Sequence, residues 1–213
     1  MNTNPSAKTI LCYGDSNTWG QRPDKGRYPA NVRWTGLLQQ ALGIDYYVIE
    51  EGLSSRTTDL DYERKPGRNG KTYLAPCLDS HRPLDLVILM LGTNDFKIEF
   101  NRSAKDIAEA VRGLVKIIQD KVDAKILLVS PILVDNTKPL FQQLYPDYYN
   151  HESVMKSKQL AQELEVVARE TGCTFADASK VAAPGDDGIH FSAEAHAGLG
   201  KLLAQKTKEV LGA

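Results

Sequence analysis

A serine, a histidine and an aspartate can together cleave an acyl bond when a fold brings them within hydrogen-bond reach. The serine attacks, the histidine takes its proton, and the carboxylate orients and charge-stabilises the imidazole. This chain offers each of the three at a turn. Ser16 stands in Gly14-Asp15-Ser16-Asn17, directly after the apolar run Thr9-Ile10-Leu11-Cys12-Tyr13. His190, one of four histidines beside His81, His151 and His196, closes Asp187-Gly188-Ile189-His190. Asp187 can fold back onto the imidazole across that glycine-containing turn, and the three-residue spacing favours it over its neighbour Asp186. Donors for a developing oxyanion are available too. Asn94, in Gly92-Thr93-Asn94-Asp95, carries a side-chain amide, and Gly52 has no side chain to keep a substrate from its backbone N–H. The backbone N–H of Ser16 would be the third. Preorganised donors of this kind can each be worth roughly two to four kcal/mol of barrier. Asp15, Asn17 and Trp19, which flank the serine, are the candidate substrate contacts.

Each of these residues alone has a plainer use. A serine after a strand commonly forms a turn or caps a helix, Asp-x-x-His can be an ordinary loop pair, and glycine and asparagine are turn formers. Position is what gathers them, because all four sites fall where strands end.

Thr9 to Tyr13 reads as a buried strand ended by Gly14. Gly20 to Asn31 is a polar loop. Val32 to Leu42 has Trp34, Leu37, Leu38 and Ala41 on one helical face, with Gly43 as its stop. Tyr46 to Ile49 is a second strand, closed by Glu50-Glu51-Gly52. Leu53 to Gly70, with a basic middle of Arg64, Lys65 and Arg68, reads as a solvated loop. Tyr73 to Ser80 is a short helix. Asp85 to Leu91 is continuously apolar, as a central parallel strand covered on both faces should be. Ser103 and Asp106 form a capping-box signature ahead of a long helix whose buried face is Ile107, Ala110, Val111, Leu114, Ile117 and Ile118. Lys125 to Val129 is a fourth strand, Ser153 to Thr171 a helix, Cys173 to Ala176 a fifth strand, and Ser192 to Leu211 the closing helix.

Strands alternating with helices imply right-handed crossovers and a parallel sheet. The expectation is one domain over residues 1–213. It is an α/β fold, a three-layer α/β/α sandwich on a five-stranded parallel sheet, in the flavodoxin-like order 2-1-3-4-5. Ile132 to His151 fits no period, yet spends Leu140, Phe141, Leu144, Tyr145, Tyr148 and Tyr149. Read as an exposed apolar patch, it marks an interface and predicts a homo-oligomer; the alternative is a lid folded on its own subunit.

The composition is that of a soluble globular protein, 42% hydrophobic and 25% charged. With 26 basic against 27 acidic residues the formal net charge is −1, which points to neither nucleic acid nor an anionic membrane. No apolar run approaches the roughly 20 residues of a membrane span, and Met1 to Lys8 lacks the apolar core of a signal peptide. Cys12, Cys77 and Cys173 are odd in number and widely spaced, reading as buried thiols of a cytoplasmic protein.

The blocks Gly14-Asp15-Ser16, Gly52, Gly92-Thr93-Asn94-Asp95 and Asp187-x-x-His190 resemble, in order and across the whole chain, those of the SGNH (GDSL-type) hydrolases. Within that family, Gly14-Asp15-Ser16-Asn17-Thr18-Trp19-Gly20, Arg33-Trp34-Thr35-Gly36 and Glu50-Glu51-Gly52-Leu53-Ser54-Ser55-Arg56-Thr57-Thr58 are similar to the bacterial arylesterase and acyltransferase branch. So are Met90-Leu91-Gly92-Thr93-Asn94-Asp95 and Asp187-Gly188-Ile189-His190-Phe191. The resemblance implies Ser16 as nucleophile, His190 as base and Asp187 as acid, with Ser16, Gly52 and Asn94 as the oxyanion hole. It also implies a small ester substrate, no metal or cofactor, and acyl transfer to alcohols or peroxide in some members. Asn17 stands where leucine is usual, and Thr18 departs from the second glycine of a Gly-x-Ser-x-Gly elbow.

Three other readings stay open beside the serine esterase of short-chain or aryl esters. A carbohydrate O-acetylesterase of the same fold would need a polar, open cleft, whereas Trp19 and the aromatic loop favour an apolar, narrow one. A non-catalytic flavodoxin-like binder of a nucleotide or phosphate would use loop amides and a helix N-terminus, but no Gly-x-Gly-x-x-Gly motif supports it. A metal hydrolase would use His190, Glu194 and His196.

Overall fold

Parallel strands buried on both faces must be apolar at every position, and the central strands here meet that demand. In the computed structural model, which describes residues 2–212, the strands are β1 (Lys8–Gly14), β2 (Tyr46–Gly52), β3 (Leu86–Met90), β4 (Lys125–Ser130) and β5 (Thr174–Asp177). They form one parallel sheet in the order β2-β1-β3-β4-β5, as the alternating pattern and the analogy together predict.

Among the described residues seven α-helices connect and cover them: α1 (Ser16–Trp19), α2 (Trp34–Leu42), α3 (Gly70–His81), α4 (Ala104–Lys121), α5 (Phe141–Leu144), α6 (His151–Thr171) and α7 (Ala193–Leu211). The two-residue period of the strands sorts the core into two layers. Leu11, Tyr13, Val87, Leu89 and Leu128 face α3, α4 and α6. Ile10, Cys12, Ile88, Leu127 and Val129 face the opposite way, toward Trp34 and Leu38 of α2 and Leu199 and Leu203 of α7. Burying one such leucine or isoleucine side chain contributes roughly 1.5–3 kcal/mol.

The ends of the elements follow their caps. Ser103 and Asp106 make the expected capping box on α4, and Ser192 accepts from the Ala195 N–H to start α7. The third helix begins earlier than its apolar residues suggest, because the Asn69 side chain accepts from the Thr72 N–H. Likewise α6 begins at His151, fixed by a reciprocal pair between Asn150 and Ser153. The second strand runs on through Glu50 and Glu51 because it lies at the sheet edge, where both carboxylates find partners: Glu50 pairs with Arg33, and Glu51 with His81 at 2.8 Å.

Two expectations are corrected. Only the middle of 53–70 is solvated. Arg56, Thr57 and Thr58 are fully or almost fully buried, and the Arg56 guanidinium lies 4.1 Å over the Tyr13 ring while donating to the Gly14 and Glu51 carbonyls. Its polarity serves the carbonyls at two strand ends. Second, the 132–151 stretch turns its apolar side chains inward. Ile132, Val134, Phe141 and Tyr149 are buried against the same subunit, and Leu140, Leu144, Tyr145 and Tyr148 are half-buried, so the stretch is no exposed apolar patch. Its backbone also grips the loop before α7, with the Asp135 N–H donating to Gly188 O and the Leu140 N–H to Asp186 O, each at 3.0 Å. No helix among the described residues is long and apolar enough to cross a membrane.

Candidate active site

The order of this sheet reverses between β1 and β3, and ligands of open α/β sheets bind beyond the strand ends at that point. Ser16 follows β1 and Asn94 follows β3. The chain turns sharply after β1 because Gly14 permits it: a Cβ there would lie 2.0 Å from Thr18 Oγ1 and 2.8 Å from Met90 O. The Asp15 carboxylate then caps α1 by accepting from the Asn17 N–H at 2.9 Å. Ser16 thus becomes the first residue of a one-turn helix, where backbone N–H groups have no intrahelical partner.

His190 reaches Ser16 from the other end of the chain. Its Nε2 lies 3.0 Å from Ser16 Oγ, and its Nδ1 lies 2.6 Å from Asp187 Oδ2. The other Asp187 oxygen accepts from the backbone N–H groups of Ile189 (3.0 Å) and His190 (2.8 Å). Burial, the largest influence, pushes the Asp187 carboxyl up. The bond and charge of His190 and the two backbone donors outweigh it and hold the group below the usual carboxylate range. Asp187 is therefore a carboxylate at neutral pH, which is what an orienting partner of a histidine must be. Gly188 is held at φ 75°, and a Cβ there would lie 2.1 Å from Asp135 O, so the loop requires glycine. Asp186 is exposed.

Asn17 and Asp15 are buried and do not line the cleft. The Asn17 amide donates to Ile189 O at 3.2 Å, and its oxygen accepts from the Phe191 N–H at 3.0 Å. It brackets His190 on both sides, so the residue after the serine positions the histidine loop. Trp19 does line the cleft, with Arg27 4.9 Å over its ring.

Asn94 lies beside Ser16 on the cleft wall. One N–H of its amide donates to Arg56 O at 3.0 Å, and a primary amide has a second N–H to offer. Gly52 lies elsewhere. It faces a separate depression with Glu51 and Arg56, and a Cβ on it would strike the Trp19 backbone N at 2.1 Å, so it is a packing glycine under α1. The residues of that block that reach the cleft are Ser54 and Ser55, and the φ of 68° at Ser55 turns the chain there. No sequence signal marks that left-handed serine.

The cleft has a volume of about 480 Å³. Besides the residues named, its lining includes Tyr145, Tyr149 and Ile189 together with Gln21 and Lys65. Tyr145 was placed by its sequence only among the aromatics of an aperiodic stretch. Its hydroxyl sits 3.1 Å from Asp187 Oδ2 and 3.3 Å from His190 Nδ1.

The residues of a His190–Glu194–His196 metal centre are not brought together. Glu194 is exposed, and His196 is buried between Tyr28 and Phe191 with its Nδ1 accepting from the Trp34 N–H. Among the described residues, the one cluster of metal-ligand type is Glu51, Cys77 and His81. The positive charge of Arg56, whose guanidinium donates to the Glu51 carbonyl, disfavours a cation there.

The sequence model of the GDSL-like lipase/acylhydrolase family matches residues 12–197. A solved structure of an inhibitor-bound aryl esterase from M. smegmatis is 40% identical, with a TM-score of 0.88, covering 96% of this chain and 100% of that one. A carbohydrate acetylesterase from Sinorhizobium meliloti is 38% identical, with a TM-score of 0.87, covering 95% of this chain and 99% of the other. A second Sinorhizobium meliloti structure, of a carbohydrate acetylesterase family member, is 35% identical over 97% of this chain and 100% of its own, with a TM-score of 0.88. A comparison with curated proteins gives no match.

Proposed function

Since the chain belongs to the GDSL-like lipase/acylhydrolase family, we propose that it is a serine esterase of short-chain and aryl carboxylic esters working through an acyl-enzyme on Ser16. The observation that carries this reading is the continuous line of hydrogen bonds Ser16–His190–Asp187, at 3.0 and 2.6 Å, placed at the strand ends where α/β sheets bind ligands.

In this mechanism Ser16 Oγ attacks the acyl carbon while His190 Nε2 takes its proton. Asp187 stabilises the imidazolium that results. The tetrahedral oxyanion is held by the Ser16 N–H, the free N–H of the Asn94 amide and the Ser55 N–H. Collapse breaks the ester C–O bond as His190 returns its proton to the leaving alcohol. Water then repeats the steps on the acyl-serine, and a competing alcohol or hydrogen peroxide in its place gives acyl transfer. Ser16, Asn94 and His190 are only about 4–5% exposed, which limits the water that reaches the acyl-serine. None of these steps calls for a metal or cofactor.

Labelling with a serine-directed phosphonate tests the assignment: wild type takes up one label at Ser16, and Ser16→Ala takes up none. Label at the same rate on the variant would mean that another serine is the nucleophile.

A second reading, acetylated carbohydrate as substrate, is favoured by the polar wall formed by Gln21, Ser54, Ser55 and Lys65. Acetylated sugars and aryl acetates, compared by kcat/KM on one preparation, separate the two.

A further inference from the structure

We propose that this cleft selects esters bearing a carboxylate group, with Lys97 as the buried cation that receives it and Lys65 and Lys25 as the charges at its mouth. The proposal rests on the esterase reading and names the substrate class for it.

Three lysines line the cleft, and among its described lining residues there is no aspartate or glutamate. Two of the three are ordinary surface groups, Lys25 and Lys65 being exposed. Lys97 is not. It is only 5% exposed, and among the described residues no carboxylate lies within 4.0 Å of its ammonium. Glu99, two residues on, is engaged by Arg64 at 3.7 Å. What surrounds the ammonium instead is aromatic: the Tyr62 ring at 4.2 Å and the Tyr148 ring at 6.0 Å. Ring faces attract a cation but leave its donors unfilled. Glu99, Asp95 and Asp15 act on it only from beyond contact distance, and a buried charge with no contacting counter-ion is costly and marks a candidate functional group.

The burial has a measurable consequence. Desolvation, followed by repulsion from Lys65, pushes the Lys97 ammonium down to about 8 against the weaker pull of Glu99, Asp95 and Asp15. It stays charged at neutral pH, and an anion brought beside it restores what burial withholds. Lys65 is tied to the chemistry by a second contact, since its Nζ donates to Ser55 Oγ at 2.9 Å. A negative group on the substrate therefore meets positive charge on the same wall as a candidate oxyanion donor. Three separate point charges, with no arginine fork among the lining residues, suit a carboxylate held by single contacts.

Matched ester pairs test this. The pair 4-nitrophenyl hydrogen succinate and 4-nitrophenyl butyrate places the carboxylate on the acyl side. The pair 4-acetoxybenzoate and its methyl ester places it on the alcohol side. In wild type at neutral pH, one acid should exceed its neutral partner in kcat/KM by about tenfold or more, as for a hydrogen bond to a charged group, and the pair that does so identifies the side. Lys97→Met should bring that ratio close to one, and Lys65→Gln should lower it partway. If Lys97→Met does not fold, the exposed Lys65→Gln and the wild-type ratio decide. Wild type that treats both members of each pair equally, or prefers the neutral ones, overturns the charge selection and leaves the esterase reading standing. A protein that cleaves none of the four esters and takes up no phosphonate overturns both.

Discussion

The Tyr145 hydroxyl donates to Asp187 Oδ2 at 3.1 Å, the same oxygen that lies 2.6 Å from His190 Nδ1. Burial and the neighbouring Asp187 push the phenol far above its ordinary range, so it is a neutral donor at any working pH. The carboxylate thus divides its negative charge between a tyrosine and the imidazole. Removing the hydroxyl takes one side-chain donor off that oxygen and loosens the hold on the imidazole. Tyr145→Phe should therefore lower kcat by about tenfold, as for a lost hydrogen bond to a charged group, with KM little changed. An unchanged kcat would make Tyr145 a packing residue of the cleft wall.

Adjacent carboxylates in the loop before α7 have opposite surroundings. Asp187 is fully buried on three donors of its own loop, whereas Asp186 is exposed and contributes its backbone carbonyl. Asp187→Asn should lower kcat by about 10⁴, because the amide favours the wrong imidazole tautomer. Asp186→Asn should leave the rate near wild type. Equal losses at the two positions would mean that the orienting group lies elsewhere.

Asn94 is aimed by the loop after β2, since its amide donates to Arg56 O and the next residue, Asp95, accepts from the Thr58 N–H at 3.0 Å. If its second N–H meets charge chiefly in the tetrahedral state, Asn94→Ala should lower kcat by about 10²–10³ with little change in KM. A raised KM with kcat intact would assign it to ground-state binding. Gly52→Ala, by contrast, should act through stability. Its new methyl meets the α1 backbone, and a drop in melting temperature is the measurement.

The strands were legible because a buried parallel strand permits few sequences: Leu86–Met90 is apolar throughout. Their order came from the analogy with flavodoxin-like sheets. The Ser16–His190–Asp187 contact was legible because short spacing and strand ends restrict where those residues can meet. Other features had no local signature. Asn17 brackets His190 across 172 and 174 residues of sequence, and no periodicity encodes such a contact. Arg56 reads as a loop cation, yet it is buried because two strand-end carbonyls and the Tyr13 ring receive it. Ser55 adopts a conformation that composition assigns to glycine. The aromatics of 132–151 were visible as a group, but whether they face out or in is a tertiary fact.

A buried histidine outside the reaction predicts how the fold responds to acid. His196 is fully buried, with its Nδ1 accepting from the Trp34 N–H at 3.2 Å. Burial first, then the nearby Arg33, pushes its imidazole from 6.5 down to about 4. Between those values the unfolded chain binds a proton that the folded chain refuses, so protonation favours unfolding. The stability is present above about pH 6.5 and is lost as pH falls toward 4, by on the order of 3 kcal/mol. Asp95 works in the opposite direction. Burial raises its carboxyl to about 7, so its contribution is present at low pH and is lost as pH rises through 7. A bare stability profile therefore mixes the two, and a difference separates them. His196→Asn keeps an acceptor at the Nδ1 position for the Trp34 N–H and cannot take the proton. Urea unfolding of wild type and variant across pH 4 to 7 should show the wild-type advantage growing as pH rises from 4 to about 6.5, then levelling. An advantage that stays flat through that window would show that His196 enters and leaves the fold without a change in its charge.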